Sequence, residues 1–157
     1  MPAPTPPYVK NMIRRSLREI IEPSPKKKEI SLIWEFFNHE CAYCGKQLNK
    51  EKKEGHIDHL ISASLRGSNH ISNRVLSCAD CNEKEKLDMD WEKFLIQKNR
   101  CNTLLLKRKG KILKWQEKYK KVILNKKIID KIESLGNEVS FFYDEKVKEI
   151  RNLKQNP

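Results

Sequence analysis

Two short cysteine pairs, Cys41-Ala-Tyr-Cys44 and Cys78-Ala-Asp-Cys81, bracket His56-Ile57-Asp58-His59 and Asn73, and Asn82 abuts the last cysteine. Each pair can present two thiolates from a tight turn whose backbone amides hydrogen-bond the sulfurs, and two such turns make the donor set of tetrahedral zinc. Four sulfurs close the coordination shell and leave no position for substrate. Cys41, Cys44, Cys78 and Cys81 therefore read as a structural Zn2+ site that ties the entry of a first strand to the start of a final helix. Cys101 has no partner at this spacing and reads as a small buried apolar residue.

The groups between the cysteines suit hydrolysis of a phosphodiester. Such a reaction needs an activated water, neutralised phosphoryl charge and a stabilised leaving oxygen. A histidine can be the base and a carboxylate can hold a cation. Adjacent strand residues point to opposite faces, so Asp58 and His59 would approach one phosphate from different sides. Asn82, opening the next helix, can offer an amide oxygen as a second ligand, and such hard donors suit Mg2+ or Mn2+. His56 shares the strand face of Asp58 and reads equally well as a further ligand, a phosphate donor or a solvent-facing residue. His70 reads as structural or exposed, and His39 as a helix cap.

At these residues the sequence resembles the HNH endonuclease family, in its ββα-metal form stabilised by four cysteines. The resemblance covers about Cys41–Leu95, through Cys41-x-x-Cys44-Gly45, Ile57-Asp58-His59, Gly67-Ser68-Asn69, Asn73-Arg74-Val75-Leu76-Ser77-Cys78 and Cys81-Asn82. It implies that His59 is the general base, that Asp58 and Asn82 bind the catalytic divalent ion, and that Asn73 orients His59 by a hydrogen bond across the loop. It also implies DNA cleavage to 5′-phosphate and 3′-hydroxyl ends. Two positions depart from the family pattern. Ser62 stands where proline is frequent, and Glu85 stands where a lysine often contacts phosphate; Lys86 is the substitute expected here.

The elements that must position these groups are mostly helical. Val9, Ile13, Leu17, Ile20 and Ile21 predict a basic amphipathic helix over about 8–21, after a disordered proline-rich arm over 1–7. Ser24-Pro25 predicts the N-cap and first position of a second helix, striped by Ile30, Ile33, Trp34 and Phe37 and ending near Asn38-His39. Short strands are expected at His56–Leu60 and Arg74–Ser77, with a loop over Ile61–Ile71 between them and a helix from Asn82. Asp90 is expected to cap a helix starting at Trp91. Beyond Lys98 the pattern is helical, with Gly136 as a C-terminal cap, Phe141-Phe142-Tyr143 as an extended segment or linker, and Asp144 capping a last helix. The expected fold is thus α+β and mostly helical: N-terminal helices over 8–40, an HNH ββα core over 41–97, and a basic helical extension over 98–157.

The chain of 157 residues carries a net charge of +12, and residues 98–157 hold 17 Lys/Arg against 7 Asp/Glu, most of that excess. A basic segment beside such a core suggests a polyphosphate partner, DNA with RNA left open. Arg66, Arg74, Lys84 and Lys86 are the expected backbone contacts. No apolar run is long enough for a membrane span and no export signal is evident, so a cytoplasmic protein is expected. One setting for so compact a chain is the effector of a phage-defence or mobile-element system, switched by a partner or second copy on the helical extensions. A zinc module that binds nucleic acid without cutting it is the competing expectation.

Overall fold

The computed structural model describes residues 4–120 and 126–155. Helices α1 (Pro6–Ile21) and α2 (Lys27–Phe36) precede strands β1 (Gly55–His59) and β2 (Arg74–Cys78), and α3 (Trp91–Lys98), α4 (Asn102–Lys118) and α5 (Lys126–Gln155) follow. The chain has two compact units. One contains α2, both strands, α3 and α4; the other contains α1 and α5, so the boundary expected at 97/98 falls inside the first unit. The α+β, mostly helical class is as expected.

In the first unit β1 and β2 pair antiparallel, with Gly55 opposite Cys78 and His59 opposite Arg74. A lone hairpin is marginal in water, so this one depends on what covers it. The stripe expected on α2 supplies Ile33, Trp34 and Phe37, all buried, and α2 lies against β2. Leu60, Val75 and Leu76 are fully buried beneath them. From the far end of the unit, α4 inserts Ile112 and Trp115, and the Trp115 indole stacks near Phe36 and Tyr119 with ring centroids 4.8 and 4.3 Å away. Asp90 caps α3 as predicted, accepting from the amides of Glu92 and Lys93 at 3.1 and 3.0 Å.

Between β1 and β2 the chain makes two single 3-10 turns, Ala63–Leu65 and Ile71–Asn73. The loop is tight enough that a Cβ on Gly67 would sit 1.7 Å from the Ile61 carbonyl oxygen, so only glycine fits there. After β2 the backbone enters a seven-residue π-helix, Asp80–Lys86.

In the second unit α1 and α5 pack against each other. Lys10 meets Asp144 and Arg14 meets Asn137, so the two helices run antiparallel.

Several local expectations are corrected. The helix expected from residue 8 starts at Pro6, because proline is tolerated in a first turn where its missing N–H has no helical partner. The second helix is capped at Lys26, not Ser24, its amide donating to Glu29 at 2.9 Å. Gly136 is no cap: it lies inside α5, where a Cβ would come within 3.3 Å of the Arg14 side chain, so the glycine serves close approach. Phe141-Phe142-Tyr143 and Asp144 also lie inside α5, and Asp144 pairs with Lys10 at 2.8 Å instead of capping a helix. Cys101 is exposed at the start of α4 rather than buried.

Candidate functional site

The four sulfurs of Cys41, Cys44, Cys78 and Cys81 all lie within 4.8 Å of one another. The 3.8 Å between Cys44 Sγ and Cys78 Sγ is the edge expected of a sulfur tetrahedron around zinc at about 2.3 Å. The donors fit that metal. Their crowding also shapes the free thiols: hydrogen bonds with Cys44 and Cys81 hold Cys41 far below the ordinary thiol value, and Cys44 is raised to about 11, chiefly by its hydrogen bond with Cys41. Cys81 is raised as well, by its hydrogen bonds with Cys41 and Cys44, so without a metal the negative charge settles on Cys41.

Tyr43, inside the first knuckle, links this cluster to Asp58. Its hydroxyl donates to Asp58 Oδ2 at 2.8 Å, and burial followed by the Asp58 charge raises the phenol well above its ordinary range, which keeps it a donor. The amide of Asn99, just past α3, donates to the Tyr43 carbonyl at 3.0 Å and accepts from Arg108 of α4, so α3 and α4 brace the knuckle from behind.

Asp58 is buried, and burial raises its pKa against the opposing charge of Lys86 and the hydrogen bonds from Tyr43 and Lys86. Lys86 is 1% exposed; its ammonium lies 3.2 Å from Asp58 Oδ2 and donates to the His59 carbonyl at 2.7 Å. The expectation that Lys86 contacts phosphate is therefore corrected. A π-helix winds at i to i+5, so it turns Lys86 back onto the face carrying Cys81 and Asn82 and sends it under β1. The Asn82 side chain, half-buried near the start of the π-helix, makes no hydrogen bond among the described residues, so its oxygen is open to a cation.

His59 projects to the other side of β1, as strand alternation requires. Its Nε2 lies 3.2 Å from Asn69 Oδ1, and its Nδ1 lies 3.0 Å from Arg74 Nη1. Arg74 sits opposite His59 in the strand register, which brings the two side chains together. It is 8% exposed and also donates to Asn69, so in the free chain it is an internal partner of His59.

Asn73 differs from its expected role. Its amide nitrogen donates to the carbonyls of Ile61 and Ser68 at 2.9 and 2.8 Å, and its oxygen accepts from the Ile61 amide at 3.0 Å. The side chain closes the loop onto itself rather than bonding the His59 ring: both amide hydrogens go to backbone carbonyls and the oxygen accepts from a backbone amide. Trp115 of α4 fastens the same loop, its indole N–H donating to the Ile71 carbonyl at 3.0 Å.

The remaining candidates lie at the surface or serve local structure. His56 Nδ1 is 3.2 Å from Glu83, at the rim near Asn82. Lys84 is exposed and pairs with Asp80 at 2.7 Å, and Arg66 is exposed in a left-handed conformation after the first 3-10 turn. His70 caps the second 3-10 turn through Ser72, and His39 packs edge-on against Trp34 at 5.4 Å. Sequence reading missed Tyr43, Asn69, Asn99 and Trp115. Tyr43 carried a signal, as an aromatic between two paired cysteines, and so did Asn69, which stands in the Gly67-Ser68-Asn69 motif although no role was assigned to it.

Residues 41–96 match the HNH endonuclease family. No curated protein matches the chain. No solved structure matches it either. Among the described residues, no helix is long and apolar enough to cross a membrane.

Proposed function

We propose that this protein is a metal-dependent endonuclease that hydrolyses DNA phosphodiester bonds, with His59 as general base and Asp58 and Asn82 as ligands of one Mg2+ or Mn2+. The observation that carries the reading is the placement of Asp58 and His59 on opposite sides of one strand, beside the cysteine-anchored helix bearing Asn82, within the segment matching the family. The donors fit a hard cation, being a carboxylate and an amide oxygen that no other group holds. An ion there would supply charge neutralisation at the phosphoryl and leaving oxygens.

This chain's own side chains supply the rest. Tyr43 fixes the carboxylate of Asp58, and Asn73 and Trp115 keep the loop closed around His59. Lys84, Arg66 and the lysines of α4 present positive charge to the backbone. One such core reaches one strand at a time, so a single molecule nicks duplex DNA.

Supercoiled plasmid incubated with the protein tests this, with Mg2+, Mn2+ or EDTA and with His59→Ala beside the native chain. Nicking that needs both the metal and His59 supports the reading. Metal-dependent cutting by His59→Ala at the native rate removes His59 as the base. A second reading, a zinc-stabilised module that binds nucleic acid without cutting it, is favoured by one observation: Lys86 and Arg74 already engage Asp58 and His59. That reading predicts a gel shift indifferent to Mg2+ and no nicked product.

A further inference from the structure

His59, Asn69 and Arg74 form a closed ring of hydrogen bonds. A guanidinium has donors only, so the 3.0 Å contact between Arg74 Nη1 and His59 Nδ1 requires an unprotonated Nδ1. That assigns the ring proton to Nε2, which donates to Asn69 Oδ1 at 3.2 Å. The same Asn69 oxygen accepts from Arg74 Nη2 at 3.0 Å, and the Asn69 carbonyl accepts from Arg74 Nε at 3.4 Å. Asn69 and Arg74 are both 8% exposed. Both imidazole nitrogens are thus engaged. In this arrangement the base proposed above has no lone pair free to take a proton from water.

Only one of the two bonds has a strong competitor. A neutral imidazole nitrogen is a weaker partner for a guanidinium than a phosphate oxygen, which offers charge and a matching fork of acceptors. The Asn69 bond joins two uncharged groups, so phosphate gains less by displacing it than by taking the guanidinium. Withdrawing the guanidinium from Nδ1 therefore frees one nitrogen while Asn69 continues to orient the ring through Nε2.

The geometry points to Arg74 as a substrate-operated latch: a phosphodiester of the bound backbone takes the guanidinium from His59 Nδ1 and so uncovers the base. The inference rests on the reading of His59 as that base. It makes Arg74 a positioning residue whose partner changes on binding, and it keeps the base covered until a phosphodiester arrives. It also accounts for the engaged histidine that otherwise favours the non-cutting module.

The test uses the zinc-loaded native protein with 15N-labelled histidine and arginine, free of Mg2+ and Mn2+ so that a short DNA duplex stays intact. Scalar coupling across the Arg74–His59 hydrogen bond should be present in the free protein and lost at saturating duplex, with the Nε2–H bond retained. Coupling absent from the free protein, or persisting in the saturated complex, overturns the latch, as does a duplex that does not bind. A kinetic measurement stands beside it. Arg74→Gln keeps an amide that can donate to Nδ1 but carries no charge to a phosphate, so cleavage should fall about 10- to 100-fold with zinc content and melting intact. Arg74→Lys should recover part of that loss. Native-rate cleavage by Arg74→Gln overturns the latch. If instead His59→Ala still cuts while the coupling switches as expected, the base assignment falls and the exchange of partners by Arg74 stands.

Discussion

Lys86–Asp58 in the four-cysteine unit and Lys10–Asp144 in the α1–α5 pair are both lysine-to-aspartate contacts, and the second is the shorter, 2.8 Å against 3.2 Å. Their surroundings differ more than their lengths. The first pair is 1% and 8% exposed, the second 27% and 42%. Water and ions screen the exposed pair, and holding two long side chains in register offsets most of its attraction. The buried pair has no water to fall back on, so removing either partner strands a charge. The same contrast runs through both units. The four-cysteine unit encloses aromatic rings and four sulfurs in a small volume, whereas α1 has no buried residue and α5 leaves Phe141, Phe142 and Ile150 exposed. Enclosure, more than contact distance, decides what each interaction is worth.

Removing the metal is the strongest way to break the comparison. Binding at a four-sulfur site is worth about 10–16 kcal/mol, and that free energy is folding free energy because the unfolded chain has no preformed site. Trp34, Trp91 and Trp115 all lie in the four-cysteine unit, so their fluorescence and near-ultraviolet dichroism report on it alone. Stripping zinc with a strong chelator, or Cys81→Ser, should shift the tryptophan emission to longer wavelength and abolish the tryptophan near-ultraviolet dichroism, while α1 and α5, which hold no ligand, keep part of the helical dichroism. Tryptophan signals that survive verified zinc loss would mean the aromatic core suffices unaided.

Lys86→Met comes next, at about 3–5 kcal/mol for a stranded buried charge. Its pH dependence has a definite sign. Burial already raises Asp58 above its ordinary value, and losing the ammonium raises it further. Between the ordinary and the raised value the folded state binds the extra proton, so this group's contribution to stability falls as pH rises through that window. Urea melts should therefore show a larger deficit for Lys86→Met at neutral than at mildly acid pH, within the range where zinc stays bound. A deficit independent of pH would point to lost packing of the lysine stem.

Trp115→Phe keeps most of the ring and deletes one N–H, leaving the Ile71 carbonyl without its donor at about 1–3 kcal/mol. Because Ile71 belongs to the loop closed by Asn73, plasmid cleavage should fall along with melting temperature. A stability loss with unchanged cleavage would separate the loop from the chemistry.

These effects also mark what the sequence could and could not reveal. The cysteine cluster was legible because Cys-x-x-Cys spacing is local and metal geometry is strict. Asp90 was legible as a cap for the same reason. The partners of His59 were not: Arg74 lies fifteen residues away and meets it only through the strand register, and Asn69 arrives from a loop whose path depends on Gly67. Lys86 was recognised as standing in for an expected lysine, but a π-helix cannot be read from residue types, and it is the π turn that buries this side chain. In α5 the signals misled. Gly136, Phe141-Phe142-Tyr143 and Asp144 look like breaks in a helix, yet each is compatible with a helix packed on α1, where a missing Cβ and a carboxylate meet Arg14 and Lys10.

The smallest expected effect is also the sharpest check of the argument from enclosure. Lys10→Met removes the shorter of the two ion pairs and should cost no more than about 1 kcal/mol, because a half-exposed Asp144 is rehydrated as soon as its partner leaves. A double-mutant cycle of Lys10→Met with Asp144→Asn, read by thermal melts of the helical signal, isolates the pair from changes in helix propensity. Raising the salt concentration should shrink the coupling further, since an exposed pair is screened. The cycle on Lys86 and Asp58 should keep most of its coupling in the same salt. If the Lys10–Asp144 coupling instead equals that of the buried pair, distance outranks enclosure, and the ordering of every effect above must be reversed.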